Sequence, residues 1–277
     1  RGGKMIKKLL NDKIAIGCIL IIMITCILGI FAPQLAPNDP YLQDISNKFM
    51  PFSLKYPLGT DNLGRCVMSR LMYGIRPTIF LSLLTMVCTI LLGTIIGIIA
   101  GYSRGIVDEV LMRFCDIMLS FPSQVMILAI VGVLGVGIEN IIFANIIIKW
   151  TWYARMIRGI VIQYRYKNYM LYSKVINTKK SFVMFKHLLP NILSEVIVLA
   201  TLDIGWVILN ISTLSFLGLG VQAPTPEWGA MLSEAKNVMA TNPNQMIVPG
   251  LAILIIVAAF NLLGDSFRDA LDHKEVA

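Results

Sequence analysis

Apolar residues in this chain are gathered into blocks that are long, nearly free of charge, and too numerous for a soluble core. Six stretches stand out: 14–32, 79–100, 117–134, 138–153, 196–217 and 247–263. A helix rising 1.5 Å per residue needs about 17 to 25 such residues to cross the hydrocarbon of a bilayer. Lipid offers no hydrogen bonds to the backbone, so segments of this length must satisfy their own N–H and C=O groups as helices. The expected fold is therefore all-α and integral to the membrane, with six transmembrane helices. The stretch 138–153 is the weakest, because Asn140, Asn145 and Lys149 interrupt it. Composition agrees: charged residues make up 14% of the 277, against about 25% in soluble domains. The first block is too long for a cleaved signal peptide, and Pro33 comes after it without a small-residue cleavage pattern. Residues 1–4 precede Met5, which reads as the natural start, so they are set apart as foreign to the natural chain.

Charge sets the orientation. Cytoplasmic loops are enriched in Lys and Arg, and the flank 1–13 carries Lys7, Lys8 and Lys13. Counting forward places 33–78 outside, 101–116 inside, 135–137 outside, 154–195 inside, 218–246 outside and the tail 273–277 inside. Both termini are then cytoplasmic, and the core with five spans and the long inner loop occupies 79–272. The loop 154–195 checks this independently. It has cations at 155, 158, 165, 167, 174, 179, 180 and 186, and its only acid is Glu195 at its end. The outer segment 33–78 also carries cations, at 48, 55, 65, 70 and 76, but long loops translocate with little regard to charge. A formal net charge of +8 thus belongs to inner loops and anionic lipid, and nucleic acid is not an expected partner.

Within the spans, Gly93, Gly97 and Gly101 recur every fourth residue. Such a strip lets a neighbouring helix approach closely where lipid supplies no hydrophobic drive. Pro122 is expected to kink or cap the third span, and Pro249-Gly250 marks a similar break in the sixth. No internal repeat is visible, which argues against inverted-repeat transporters. The five cysteines and two histidines show no CxxC or Cys/His spacing, so no metal site is expected.

The basic inner loop has its own pattern. From Asn168 to Lys186 it permits two short helices punctuated by Asn177-Thr178, since Asn tolerates the left-handed conformation a sharp turn requires. Pro190 is expected to end that element before the next span. Spacing alone leaves two uses open: a lever seated in a groove on a soluble partner, or an amphipathic helix lying on anionic lipid.

At this point the chain resembles a known family. The run Tyr169, Ser173, Asn177 and His187-Leu188-Leu189-Pro190-Asn191 is similar, without a gap, to the EAA loop of binding-protein-dependent ABC importer permeases of the dipeptide, oligopeptide and nickel branch. That loop usually carries two alanines where Tyr172 and Ser173 stand, and a glycine at Asn177. Further blocks resemble the family in order: Tyr56-Pro57-Leu58-Gly59-Thr60-Asp61 with Gly64-Arg65, Ser69-Arg70 and Gly74-Ile75-Arg76; Met112 to Asp116 with Phe121-Pro122; Leu214 to Gln222 with Pro226-Glu227-Trp228-Gly229; and Asn261 to Asp265 with Arg268 to Asp272. Cys66 stands where the family usually has Asp. Within the family the chain looks like the second permease of a pair.

The resemblance implies a type I permease architecture in the bacterial cytoplasmic membrane. It implies a heterodimer with a second homologous permease, two ATPase subunits beneath it, and an extracytoplasmic substrate-binding protein. Tyr169, Tyr172, Ser173, Lys174, Asn177, His187 and Pro190 would form the coupling-helix loop, with Tyr172, Ser173, Lys174 and Asn177 as its contact core. Arg155, Arg158 and Lys186 would then be anchors at the lipid headgroups. ATP and Mg would be held by the partners, since this chain has no GxxxxGK[ST] phosphate loop. No HExxH, GxSxG or paired catalytic carboxylates appear either, so the chain is not expected to be an enzyme.

Polar residues inside spans are the other functional signal. Asp203, Trp206 and Asn210 fall at i, i+3 and i+7 of the fifth span, on one helix face. A carboxylate at bilayer depth is costly and usually lines a bundle interior or a water-filled path. The three are therefore candidates for a translocation pathway, with Asp203 suited to an amine-bearing metal chelate. The alternative is a hydrogen bond that merely ties two helices together. Asp108, Glu109, Arg113 and Asp116 are expected to form a local salt-bridged turn. A stand-alone secondary transporter or channel is the competing function, but it leaves the basic loop unexplained. Nickel, metal chelates and peptides all remain open as substrates, with a lean towards metal.

Overall fold

The computed structural model describes residues 8, 9 and 11–271, apart from the side chains of Lys174 and Leu271. Residues 1–4, Lys7 of the flank, and the tail 273–277 lie outside them. The described residues are overwhelmingly helical and contain no strand, only an isolated bridge between Thr60 and Cys66. The principal helices are α1 (Lys13–Ile30), α2 (Val67–Ser103), α3 (Ile106–Leu119), α4 (Ser123–Leu134), α5 (Ile138–Arg165), α6 (Asn168–Val175), α7 (Lys180–Phe216), α8 (Trp228–Ala235) and α9 (Asn244–Leu271).

Four of these, α1, α2, α7 and α9, are long and apolar enough to cross a membrane, and α3 with α4 makes a fifth if the bent pair is one span. The remaining expected span lies in α5, whose 28 residues are long enough but include Glu139, Lys149 and three arginines. Helix α1 shows how such helices arise. It is apolar on every face, only Ala15, Cys18 and Gly29 are buried, and its first turn is capped by Asp12, which accepts from the Ile14 amide at 2.9 Å. An all-round apolar helix with so few buried residues is built to face lipid.

Several expected boundaries move. Residues 67–78, expected as loop, are the opening turns of α2, which passes Pro77 through a wider, π-type turn at Arg76–Phe80. The third span, expected over 117–134, is not one helix. Residues 117–119 close α3, the chain breaks at Ser120–Pro122, and α4 leaves at 84° to α3. Pro122 lacks an amide and crowds the preceding turn, and here that is enough to end a helix rather than kink it. Residues 154–165, expected as loop, continue α5. Pro190 does not end its element: α7 runs through it from Lys180 to Phe216. The π-type turn at Val183–Leu188 immediately precedes it and shifts the carbonyls that a proline ring would otherwise strike.

The chain folds as two compact units. One comprises the described residues up to Leu84, Leu134–Ile142, and those from Thr201 on; the other comprises Thr85–Val133 and Phe143–Ala200. In the first, Leu9, Ala15 and Cys18 pack with Ala259, Leu263 and Ala270, joining α1 to α9. Gly264 meets the backbone of Leu202, and Gly205 meets the Asn261 side chain, so α7 and α9 nearly touch along one edge.

In the second unit the glycine strip of α2 lies against α5, as its spacing predicts. A Cβ on Gly93 would sit 2.4 Å from Tyr153 Cβ; one on Gly97, 2.7 Å from the Ala154 carbonyl oxygen; and one on Gly101, 2.6 Å from Val161 Cγ1. Gly97→Val should therefore cost about 1–3 kcal/mol, the usual penalty for overpacking, read as a lower melting temperature in detergent. Gly132→Val, at a position with nothing within 4 Å, should leave melting unchanged.

Candidate functional site

The basic loop, expected to be the coupling lever, folds as two helical arms about a turn. Helix α6 ends at Val175, Asn177 takes a left-handed φ of 52°, and α7 begins at Lys180. The Thr178 amide donates to the Ser173 carbonyl at 3.0 Å and the Ile176 amide to that of Tyr172 at 3.1 Å, closing the helix end over the turn. This is the punctuation that Asn177 predicts. Met170 and Val183 are buried and anchor the two arms.

The seven lever residues do not share one role. Tyr172 is 67% exposed, and Asn177 and Pro190 are also exposed. Tyr169 is less exposed, and the His187 ring packs edge-on against Phe182 with centroids 5.5 Å apart. Ser173 faces inward: it is buried, and its hydroxyl donates to the Met170 carbonyl at 2.8 Å. The Lys174 side chain lies outside the described residues. The outward set that spacing missed is apolar: Val175, Ile176, Phe182 and Phe185 stand out beside Tyr172. With no periodic pattern around them, these residues give no signal in the sequence beyond their presence.

Asp203, Trp206 and Asn210 all fall on α7. Asp203 and Trp206 are half-buried and Asn210 is 3% exposed. Each is engaged by some neighbour, and the turn carrying Asp203 is the one that abuts α9 through Leu202 and Gly205. Sequence places them on a helix, and the structure adds that Asn210 is sealed inside.

Two expectations about charge are corrected. Asp108 does not pair within its own turn. Arg158 of α5 donates to it through Nε at 2.5 Å and Nη2 at 2.7 Å, which raises the Arg158 guanidinium above its ordinary value. Asp116 pairs with Arg155. These arginines, expected as headgroup anchors, instead tie α5 to α3. Arg155 and Arg158 are three apart on α5 and so share a face, which puts both within reach of acids on the neighbouring helix.

A second charged cluster joins motifs that are distant in sequence. Arg65 donates through Nε to Asp61 at 2.6 Å and also reaches Glu234; Arg70 Nη2 donates to both Glu234 oxygens at 3.0 and 3.1 Å. Both arginine side chains are 1% exposed. Next to it, Glu227 is fully buried, caps α8 by accepting from the Ala230 amide at 2.8 Å, and accepts from the Thr78 hydroxyl at 3.0 Å. Trp228 Nε1 donates to the Leu71 carbonyl at 2.9 Å, and a Cβ on Gly74 would lie 2.8 Å from its ring. The stretches 56–76 and 226–229, separate motifs in sequence, thus form one clasp. Glu234, its central acceptor, lies outside every motif and escapes sequence reasoning.

Burial pushes the Glu227 carboxyl up, more than its hydrogen bonds from Gly229, Ala230, Thr78 and Ser215 pull it down. The folded state then holds the proton more tightly than the unfolded state. Its contribution to stability is present at low pH and is lost as pH rises from the ordinary carboxylate value through the raised one. Glu227→Gln should flatten that slope in melting temperature against pH, while Glu227→Ala should also lose the cap, at about 1 kcal/mol.

Comparison with known proteins shows the family to which the chain belongs. Residues 93–276 match the family described as binding-protein-dependent transport system inner membrane component, and residues 2–52 match the N-terminal TM domain of oligopeptide transport permease C. The chain is 43% identical to the metal-staphylopine import system permease protein CntC of Staphylococcus aureus, over 98% of this chain and 93% of that protein. It is 39% identical to the nickel transport system permease protein NikC of Escherichia coli, over 92% of each. It is also 37% identical to the dipeptide transport system permease protein DppC of Alkalihalophilus pseudofirmus, over 97% of this chain and 88% of that protein. With the family model covering most of the chain and the relatives nearly all of it, the chain belongs to the binding-protein-dependent transport system inner membrane components, the permeases of ABC importers.

Proposed function

We propose that this chain forms half of a translocation pathway for nickel or a small metal chelate, paired with a second, homologous permease. An extracytoplasmic binding protein delivers the cargo, and two ATPase subunits in the cytoplasm drive the cycle. Six spans are assigned to it, with α5, the most charged of them, as the fourth. Both termini lie in the cytoplasm.

The observation that carries the mechanism is the continuity of α7. The lever that begins at Lys180 is the same helix that passes Asp203, Trp206 and Asn210 and ends at Phe216. A displacement of the turn at Asn177 would travel along this helix towards the candidate pathway. Nucleotide can shift the equilibrium between inward and outward states only if the lever's contacts differ between them. The exposed ring of Tyr172, flanked by Val175, Ile176 and Phe185, is suited to a groove on the ATPase, since an exposed apolar group of this kind marks an interface. The clasp around Glu234 would hold the outer loop in a fixed shape for the binding protein.

For the cargo, support comes from Asp203 at bilayer depth and from identities of 43% and 39% to permeases named for metal-staphylopine and nickel. The similarity to a dipeptide permease at 37% supports a second reading, peptide uptake. Elemental mass spectrometry decides between them. A strain lacking this chain, grown with limiting metal, is expected to lose cell nickel, cobalt or zinc and to regain it when the chain is restored. Unchanged metal content, with loss of labelled dipeptide uptake, would replace metal with peptide.

A further inference from the structure

One group of cations has no place in the clasp, the lever or the proposed pathway. Helix α2 ends at Ser103 and the chain turns through two left-handed residues, Arg104 at φ 58° and Gly105 at φ 65°. The turn brings Arg104 to Tyr166, whose hydroxyl accepts from Arg104 Nη2 at 2.6 Å. Arg165, the last residue of α5, lies beside them. Its Nη1 donates to the Gly101 carbonyl at 3.2 Å, it is 7% exposed, and its buried Nε has no hydrogen-bond partner.

The charges here do not balance. The carboxyl end of α2 supplies about half a negative charge against two guanidiniums. The carboxylate acting on Arg165 is that of Asp108, and both of its oxygens are already held by Arg158. Glu195 accepts from Tyr164 at 2.6 Å and its other oxygen, Oε2, has no partner, but it is not among the charges acting on Arg165. Burial first, and then the neighbouring Arg104, pull the Arg165 guanidinium below its ordinary value. A buried arginine next to a second one is a costly arrangement unless an anion completes it.

We infer that Arg104, Arg165 and Tyr166 form a binding site for the phosphodiester headgroup of an anionic phospholipid. Two guanidiniums present a fork of donors suited to phosphate oxygens. The Tyr166 hydroxyl, which accepts from Arg104, still has its own proton to donate, and Tyr166 is 61% exposed. The neighbouring apolar surface favours a lipid over free phosphate. Ile106, Val107 and Val110 stand exposed at the start of α3, where acyl chains can lie directly beside the headgroup donors. Tyrosine and arginine at such a boundary match the amphipathic chemistry of the membrane interface.

The test is native mass spectrometry of the purified full chain in detergent, titrated with phosphatidylglycerol or phosphatidylcholine. Wild type is expected to retain one phosphatidylglycerol in preference to phosphatidylcholine. Arg104→Gln should weaken that binding about fivefold, the worth of one cation at an anionic surface, and Arg104→Lys should largely preserve it. Arg104 is exposed, so its substitution leaves the fold intact, which an unchanged melting temperature checks. Tyr166→Phe supplies a second reading, with weaker binding expected and the charges unaltered. Equal retention of the two lipids, or unchanged binding in Arg104→Gln and Tyr166→Phe, would overturn the assignment. Displacement of phosphatidylglycerol by millimolar inorganic phosphate would also overturn it, in favour of a soluble anion.

Discussion

Glu234→Ala is expected to destabilise this chain by about 3–5 kcal/mol, the loss incurred when one partner of a buried ion pair is removed. Glu234 is the acceptor shared by Arg65 and Arg70, and both guanidiniums are sealed from solvent. Without it, Asp61 alone faces two buried cations, at 2.6 Å from Arg65 and 3.6 Å from Arg70. The cost comes from uncompensated burial rather than from the lost attraction. That distinction is measurable. The paired change Arg70→Met with Glu234→Leu removes one charge of each sign and fills similar volume, so it should cost much less than Glu234→Ala. Thermal melting of the purified chain in detergent reads both. A single variant no worse than the pair would show that Glu234 does not neutralise the arginines.

The second large effect is at the lever. Asn177 sits at φ 52°, and proline is fixed near −65°. Asn177→Pro therefore cannot keep the turn between α6 and α7, and the arm carrying Tyr172 loses its angle to α7. Uptake of the cargo should fall to the level of the strain lacking the chain, while the amount of protein in the membrane stays near wild type, because no core contact is removed. Asn177→Gly should retain uptake, since glycine adopts the left-handed region without penalty. Retained uptake in Asn177→Pro would mean that the turn does not transmit motion.

Much of this architecture is legible from the chain alone, and the reasons differ by element. Apolar length announces α1, α2, α7 and α9 because lipid demands it of any spanning helix. The glycine period announces that a neighbouring helix approaches α2 closely, and Asn177 announces the turn, because each position has a steric requirement that few residues meet. Prolines are less legible. Pro122 breaks a helix, whereas Pro190 is absorbed by one behind a π-type turn, and Pro249, expected as a break, lies inside α9; no local pattern encodes these outcomes. Charge partners are hidden likewise. Sequence neighbours suggest a local turn for Asp108 and Asp116, yet they pair with Arg158 and Arg155 some 50 and 39 positions away. Glu234 is invisible for the same reason: it belongs to the clasp through tertiary packing, and its own surroundings in sequence carry no signature. In the lever, alternation does not reveal that Ser173 turns inward while Val175 and Ile176 turn out, because a two-turn helix has too little periodicity to fix a face.

The proposed coupling requires the lever around Tyr172 to seat on an ATPase, and crosslinking in living cells decides whether it does. Tyr172 is replaced with a photo-crosslinking phenylalanine derivative, intact cells are irradiated, and the adduct is identified by mass spectrometry. The expected product is a covalent adduct with a subunit that carries a GxxxxGK[ST] phosphate loop, lost in Asn177→Pro. An adduct with lipid alone, in cells where the chain supports uptake, would contradict the seating of the lever on an ATPase.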